Sequence, residues 1–236
     1  MEEIFDRKAI FQRREKLGFD GSLHEKIEAE LLEELEDYLI FFCKNIDKKE
    51  KITQILPWHL EGKHTEFVLA ESDKMNIENL KKLEKSNGFV AANCLHNVNY
   101  LQEYLTVILE NLNDGGFFVG SFFGVNNLSI LKNVINENDL QFSKQIYPRF
   151  NPTISGENVH AILQGTGFGD VVVAVSKINF EFISFGDAMA FLRKIGERNY
   201  IKIRQKTAPR RKIFQENLAG KVKLDFEIIK FYCHKR

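Results

Sequence analysis

The stretch GFVAANCLHNVNYLQEYLTVILENLNDGGFFVGSFFG, residues 88–124, decides the fold of this chain. Its first apolar run, residues 89–95, has the length of a strand that is buried on both faces. Residues 100–112 predict a helix, with apolar side chains on one face at Leu101, Tyr104, Leu105, Ile108, Leu109 and Leu112. The turn at residues 113–116 ends in two glycines, and residues 117–123 form a second buried strand. This order predicts the second half of an open α/β sheet.

The flanking sequence continues the alternation of strands and helices. Further strands are expected at residues 51–56, 65–70, 171–178 (extending toward 182) and 222–232. Further helices are expected at residues 25–44, 77–85, 127–137, 156–164 and 185–197. We predict a mostly parallel sheet with helices on both faces and a long C-terminal hairpin. The chain divides into a helical N-terminal arm, residues 1–24, and one α/β domain, residues 25–236.

Composition narrows the classes of function. The 236 residues carry 33 basic and 33 acidic side chains, so no basic footprint for nucleic acid is expected. The three cysteines and six histidines show no metal-ligand spacing, and we expect no metal site. The sparse cysteines fit a reducing compartment. The N-terminus has no secretory signal, and no apolar run reaches the ~20 residues of a membrane span. These features predict a cytoplasmic protein.

The first half of the predicted sheet lacks a glycine-rich ligand loop. Residues 51–62 contain a single glycine, Gly62. Residues 51–88, which precede the strand that starts at Phe89, number 38, whereas three strand–helix units need roughly 60, so at least one unit is shortened or absent. The segment Gly165-Thr166-Gly167-Phe168-Gly169 matches G-x-G-x-G by letter, but it follows a helix and precedes a strand. We expect a helix end there, since a ligand loop has the opposite order.

Several segments resemble a known family. Residues 93–99, the following helix and the turn at residues 112–119 resemble the class I SAM-dependent methyltransferases, in which "LHWVND" precedes a helix and an "LKPGG" turn. Three more segments resemble the BioC-type group and the methyltransferase-like assembly factor of respiratory complex I. These are the FDR motif at residues 5–7 with Arg13 and Arg14, residues 151–168, and residues 189–199.

The resemblance implies a SAM site whose residues are only partly recognisable. In the family, an acidic side chain after strand two holds the ribose hydroxyls. Glu71 fits that position, and in another register Glu78 lies in the remnant of the family's "D-x-E-x-L-P"; both registers stay open. Asn93, at the end of the central strand, is a third cofactor candidate. Because the glycine-rich loop is missing, the sequence favours a degenerate SAM site.

Candidate substrate residues follow from position at the sheet edge and from the resemblance. His96 follows the central strand, where open α/β sheets bind ligands, and could act as a base; the alternative is a loop residue with a structural hydrogen bond. Asp6 and Arg7 could close the arm over the site, or belong to a charged helix face. Tyr147, Arg149 and Asn151 lie in a loop that borders substrate in the family.

Two functions remain in view. The first is a SAM-dependent methyltransferase, degenerate in SAM binding, that acts on or binds a protein or acyl-carrier substrate. The second is a non-catalytic protein of the same fold that binds a protein partner, as an assembly factor does. Catalysis in this fold is largely a matter of proximity, because the methyl sulfonium is already activated.

Overall fold

A computed structural model describes residues 4–6, 52–55, 67–70, 77–91, 95–195, 200–201 and 221–236 of the chain. The strands are β1 (Ile52–Ile55), β2 (Phe67–Ala70), β3 (Ser86–Ala91), β4 (Leu112–Phe123), β5 (Phe168–Phe182) and β6 (Val222–Lys235). The helices are α1 (Ile77–Leu80), α2 (Leu101–Asn111), α3 (Ser129–Ser143), α4 (Gly156–Thr166) and α5 (Phe185–Lys194), and a 3-10 turn covers Leu95–Asn97.

The described strands form one sheet in the order β2-β1-β3-β4-β6-β5. Strands β2, β1, β3 and β4 are parallel, and β6 runs antiparallel to both β4 and β5. The prediction of a mostly parallel sheet is confirmed. The two C-terminal strands form a long antiparallel pair, but α5 lies between them in the chain, so they do not form the predicted hairpin.

Strand β6 divides the core into two layers, because successive side chains of a strand point to opposite faces. Its odd-numbered residues Ile229, Phe231 and Cys233 join a cluster with α2 and α4. Its even-numbered residues from Val222 to Ile228 join a second cluster with α3 and α5. Helices therefore cover both faces of the sheet, as the alternating sequence predicts.

The boundaries of the central segment differ from those predicted. Strand β3 spans Ser86–Ala91 and does not reach Leu95, which starts the 3-10 turn. The end of this strand was predicted too late because Leu95 is apolar and buried, although it belongs to the turn and not to the strand. Helix α1 is shorter than expected and ends at Leu80. Strand β2 ends at Ala70, so Glu71 is the next residue in the sequence but lies outside the described residues, and the choice between Glu71 and Glu78 stays a prediction.

Residues 4–6 are the described part of the predicted N-terminal helical arm, and they are not helical. Residues 4–6 are extended, and Phe5 forms an antiparallel β-bridge with Ile201. The backbone N–H of Asp6 donates to the carbonyl of Tyr200 at 2.8 Å. Phe5 is buried beside Tyr200, and burial of that side chain explains why the segment is anchored in an extended form. The rest of residues 1–24 lies outside the described part of the chain.

The G-x-G-x-G lookalike is a helix end, as predicted. Gly167 is the C-cap of α4 with φ of 110°, a left-handed conformation that glycine adopts without strain. Replacing Gly167 with alanine should lower the free energy of unfolding by about 1 kcal/mol. Gly165→Ala is the matched control: a Cβ there meets nothing within 4 Å, and alanine should stabilise the helix. Urea denaturation of both variants distinguishes these outcomes, and equal effects would contradict the cap.

Candidate functional site

The sheet order reverses between β1 and β3, so their carboxyl ends flank a topological switch point. Ligands of open α/β sheets bind in the crevice at such a point. Strand β1 ends at Ile55 and β3 ends at Ala91. The residues that follow these strands, 56–66 and 92–94, lie outside the described residues. The next described residues, Leu95–Asn97, extend along this edge.

A cavity of about 430 Å³ lies beside this edge, over the layer that holds α3 and α5. Its walls come from the turn after β3, the end of β4, α3, the loop before α4, and α5. Apolar side chains form most of the lining: Phe123, Leu128, Leu131, Ile135, Phe150, Phe185, Met189 and Leu192. The polar lining consists of His96, Asn127, Lys132, Arg149, Asn151, Thr153 and Arg193. The cavity therefore suits a mainly apolar ligand with a few polar contacts.

His96 lies in the cavity wall, and its Nε2 contacts the neighbouring amide of Asn97. It is 6% exposed, and Asn97 Nδ2 lies 2.9 Å from His96 Nε2. His96 Nδ1 is shielded from solvent, and the ring packs edge-on against Phe123 with centroids 4.9 Å apart. The expected position of His96 at the sheet edge is thus observed, and its role as a base stays a prediction.

Amide side chains link the turn after β3 to other parts of the cavity wall. Asn151 Nδ2 donates to Asn97 Oδ1 at 3.1 Å, and Asn151 Oδ1 accepts from the backbone N–H of Tyr200 at 2.8 Å. Asn99 Oδ1 accepts from the N–H of Phe5 at 2.7 Å, and Asn99 Nδ2 donates to its carbonyl at 3.1 Å. The N-terminal segment is thereby attached to the same turn.

Arg149 is engaged by a buried carboxylate. Its Nε and Nη2 donate to the two oxygens of Asp139 at 2.8 and 2.7 Å. Asp139 is fully buried and also accepts from the backbone N–H of Tyr147 at 3.3 Å. The guanidinium lies 5.2 Å from the centroid of the Tyr147 ring. This bidentate pair holds the loop before α4 against α3.

Lys132 introduces a cation into the apolar stripe of α3. Burial lowers the pKa of Lys132, and the nearby carboxylates of Asp225 and Glu227 partly oppose that shift. The ammonium lies 5.7 Å from the Phe150 ring centroid and 3.4 Å from the Val125 carbonyl. A half-buried ammonium in an apolar cavity is a candidate contact for an anionic group of a ligand.

Two carboxylates of β6 hold the loop between β4 and α3. Asp225 accepts from the backbone N–H groups of Ser129 and Ile130, both at 3.0 Å, and from the Ser129 hydroxyl. A carboxylate at a helix N-terminus satisfies free N–H groups and complements the helix dipole. Glu227 accepts from the N–H and the amide of Asn126 at 3.1 and 2.8 Å. These bonds place Lys132 one turn into a firmly anchored helix.

The other predicted site residues are only partly described. His96 and Arg149 line the cavity, and Tyr147 stacks on Arg149. Glu78 is exposed on α1 and is absent from the cavity lining. Asp6 belongs to the extended N-terminal segment described above. Glu71, Asn93 and Arg7 lie outside the described residues, so their assignments stay predictions.

Sequence reasoning missed several residues of the cavity. Lys132 follows Leu128 and Leu131 and precedes Ile135, so a cation interrupts an apolar stripe at helical spacing. That interruption was a readable signal. Asn127 is 5% exposed, and its Oδ1 has no hydrogen-bond donor among the described residues. Nothing in the sequence pattern distinguishes Asn127 from other loop asparagines.

The described ranges of the chain contain no group of three or more His, Cys, Asp or Glu side chains that could hold a metal ion. No helix among them is both long and apolar enough to cross a membrane. Of the three cysteines, Cys43 and Cys94 lie outside the described residues. Cys233 is a buried free thiol whose pKa is raised by burial.

No protein-family model matches this chain. The chain is 25% identical over 180 residues to a Rickettsia prowazekii protein named "Putative methyltransferase", and the match covers 75% of this chain and 78% of that protein. The structure is similar to a SAM-dependent methyltransferase from Archaeoglobus fulgidus at 16% identity and a TM-score of 0.40, covering 91% of this chain and 100% of that chain.

A second similar structure is phosphoethanolamine N-methyltransferase 2 of Haemonchus contortus in complex with S-adenosyl-L-methionine. It is 11% identical with a TM-score of 0.45, and the match covers 98% of this chain and 57% of that chain. The order and directions of the strands are those of an open, doubly wound α/β sheet. The chain therefore has the class I, Rossmann-like fold that its sequence predicts, and its sequence is similar to that of a protein named as a putative methyltransferase.

Proposed function

We propose that this protein is a SAM-dependent methyltransferase that holds its acceptor substrate in the 430 Å³ cavity and binds SAM weakly. The observation that carries the proposal is the position of the cavity, which adjoins the switch point where this class of sheet binds ligands. An acceptor in the cavity would therefore lie next to a cofactor at the carboxyl ends of β1 and β3.

The described residues at the switch point are compatible with a bound cofactor. Strands β1 and β3 are parallel neighbours, and buried polar residues His96 and Asn97 follow β3. SAM would supply an activated methyl group, and the protein would supply orientation and exclusion of water. The single glycine of residues 51–62 restricts how closely the backbone can approach a ligand, which supports weak binding.

The cavity chemistry supports an acceptor with an apolar body and an anionic group. The lining is mainly apolar, and its cations are Lys132, Arg149 and Arg193. Asp139 neutralises Arg149, so Lys132 and Arg193 are the cavity cations that no described carboxylate pairs with directly. A carboxylate presented by a protein side chain or by an acyl carrier has this combination of groups.

Calorimetric titration with S-adenosylhomocysteine tests cofactor binding. Saturable binding is expected, and ligand at 100-fold its Kd should add about 2.7 kcal/mol to the free energy of unfolding. For a chain of 236 residues this shifts the melting temperature by several degrees. Adenosine alone is the control for nonspecific nucleoside binding. Absence of heat and of any melting shift at millimolar ligand would contradict the proposed cofactor.

Lys132→Met tests the proposed preference for an anionic acceptor. Octanoate serves as a probe with an apolar chain and a carboxylate, and 1-octanol as its uncharged counterpart. The variant should weaken octanoate binding about tenfold, or about 1.4 kcal/mol, because it removes one charge-assisted contact. Binding of 1-octanol should stay unchanged. Lys144→Met, an exposed residue at the end of α3, is the matched control. An equal loss for both probes would contradict the anionic contact.

The second candidate is a non-catalytic protein that binds a partner through the same cavity. The single glycine in residues 51–62 favours it, since a degenerate cofactor loop does not impair the cavity. The titrations with S-adenosylhomocysteine and octanoate distinguish the methyltransferase from the non-catalytic protein. Octanoate binding without S-adenosylhomocysteine binding would support the non-catalytic protein.

A further inference from the structure

We infer that Asn151 and Asn97 form a directional relay that sets the tautomer of His96, so that Asn151 is a positioning residue for the site. The relay consists of the Tyr200 backbone N–H, the two amide side chains and the His96 ring. The inference concerns the protein's own hydrogen bonds and does not depend on the proposed function.

The direction of the relay starts from a group that can only donate. The Tyr200 backbone N–H donates to an oxygen of Asn151 at 2.8 Å, which assigns that atom as Oδ1. The other end of the Asn151 amide is then Nδ2, which donates to Asn97 Oδ1 at 3.1 Å. The Asn97 atom that faces His96 must therefore be Nδ2, a donor. Each amide orientation follows from the one before it.

His96 consequently accepts at Nε2, and the neutral ring carries its proton on Nδ1. Nε2 lies 2.9 Å from Asn97 Nδ2, so its lone pair is already committed to that bond. Nδ1 is shielded from solvent, so neither nitrogen is free to take a proton from a ligand in the cavity. In this arrangement His96 is a positioning residue, and it packs against Phe123 at the end of β4.

The relay joins two walls of the cavity that are distant in sequence. His96 and Asn97 belong to the turn after β3, whereas Asn151 belongs to the loop before α4. Tyr200, at the outer end of the relay, is paired through its carbonyl with the N–H of Asp6. The N-terminal segment and the turn that holds His96 are thus connected through hydrogen bonds of fixed direction.

Nitrogen NMR of the full-length protein tests the relay. Protein labelled with 15N-histidine is studied at about pH 8.5, roughly two units above the ordinary pKa of histidine. A His96→Gln variant identifies the His96 signals among those of the six histidines. Wild-type protein should show a proton-bearing Nδ1 and an unprotonated Nε2 at His96. A proton on Nε2 in the wild type would overturn the inference at once.

Asn151→Asp tests transmission through the relay. Both oxygens of an aspartate accept, so Asn97 should turn its amide to donate toward residue 151 and present Oδ1 to His96. The ring should then switch to the Nε2–H tautomer, although its direct neighbour is unchanged. Asn158→Asp, exposed in the first turn of α4, is the control and should leave the signals of His96 in place.

Asn97→Asp gives an independent check, because it replaces the donor that faces Nε2 by an acceptor. The same switch to the Nε2–H tautomer is expected. A switch with Asn97→Asp but none with Asn151→Asp would overturn the role of Asn151. If Asn97→Asp fails to fold, the wild-type spectrum and Asn151→Asp still decide the question.

Discussion

Replacing Gly120 with alanine is expected to lower the free energy of unfolding by about 3 kcal/mol. Gly120 lies in β4, where it pairs with Ala91 on one side and with Phe231 on the other. A Cβ at this position would come within 2.5 Å of the Phe231 ring and 2.8 Å of the Ala91 carbonyl. The Phe231 ring occupies this space and packs against Phe118 and Phe122, with centroids 4.9 and 5.6 Å apart. The central strand that holds Ala91 and the buried aromatic cluster that holds Phe231 cannot move away from the added methyl group without a large loss of packing.

Thermal unfolding followed by circular dichroism measures the effect. A loss of about 3 kcal/mol corresponds to a drop of about 6–12 °C in a chain of this size. Gly186→Ala is the matched control, since a Cβ there has its nearest contact at 3.5 Å and lies in the exposed first turn of α5. A melting temperature for Gly120→Ala equal to that of the control would show that the sheet relaxes around the added methyl group.

Asp139→Asn should lower the free energy of unfolding by about 3 kcal/mol, because it leaves the Arg149 guanidinium without its carboxylate in a partly buried place. Asp139 is fully buried, and the Arg149 side chain is 21% exposed. The lower end of the range for buried pairs therefore applies. The loop before α4 should also become less ordered, since Asp139 accepts from the Tyr147 N–H as well.

A double-mutant cycle separates the loss of the pair from the loss of a single charge. The variant that combines Asp139→Asn with Arg149→Met removes both charges and should be more stable than Asp139→Asn alone. Urea denaturation of the wild type, both single variants and the double variant gives the coupling energy. Additive losses would contradict the expected stabilisation by this pair, because they would mean that it contributes no coupling energy.

Much of the fold was predictable because the hydrophobic periodicity of each segment is local information. Residues 117–123 are apolar except for Ser121 and form most of β4, which is covered on both faces. The helix expected at residues 156–164 is observed at Gly156–Thr166, with Ser155 as its N-cap and Gly167 as its C-cap. The boundary of β3 was wrong because a buried 3-10 turn continues the same apolar run.

The candidate site was predictable only at the level of position. His96 was expected at the carboxyl edge because it follows a buried strand, and it is found there. Arg149 was expected to face substrate, but the structure pairs it with Asp139, which lay beyond the predicted end of the helix at residue 137. That pairing depends on where α3 stops, at Lys144 in a left-handed conformation, which periodicity does not specify.

The sequence by itself determined the fold class of this protein: alternating apolar segments require an α/β sheet with helices on both faces, because each apolar face must be buried. The tertiary structure alone decided the chemistry of the cavity. Lys132 and Asn151 are brought to one cavity by contacts between segments far apart in the chain. The orientation of His96 likewise depends on a hydrogen-bond relay that starts at Tyr200. Hydrogen bonds between distant side chains depend on three-dimensional proximity, and no local pattern in the sequence records it.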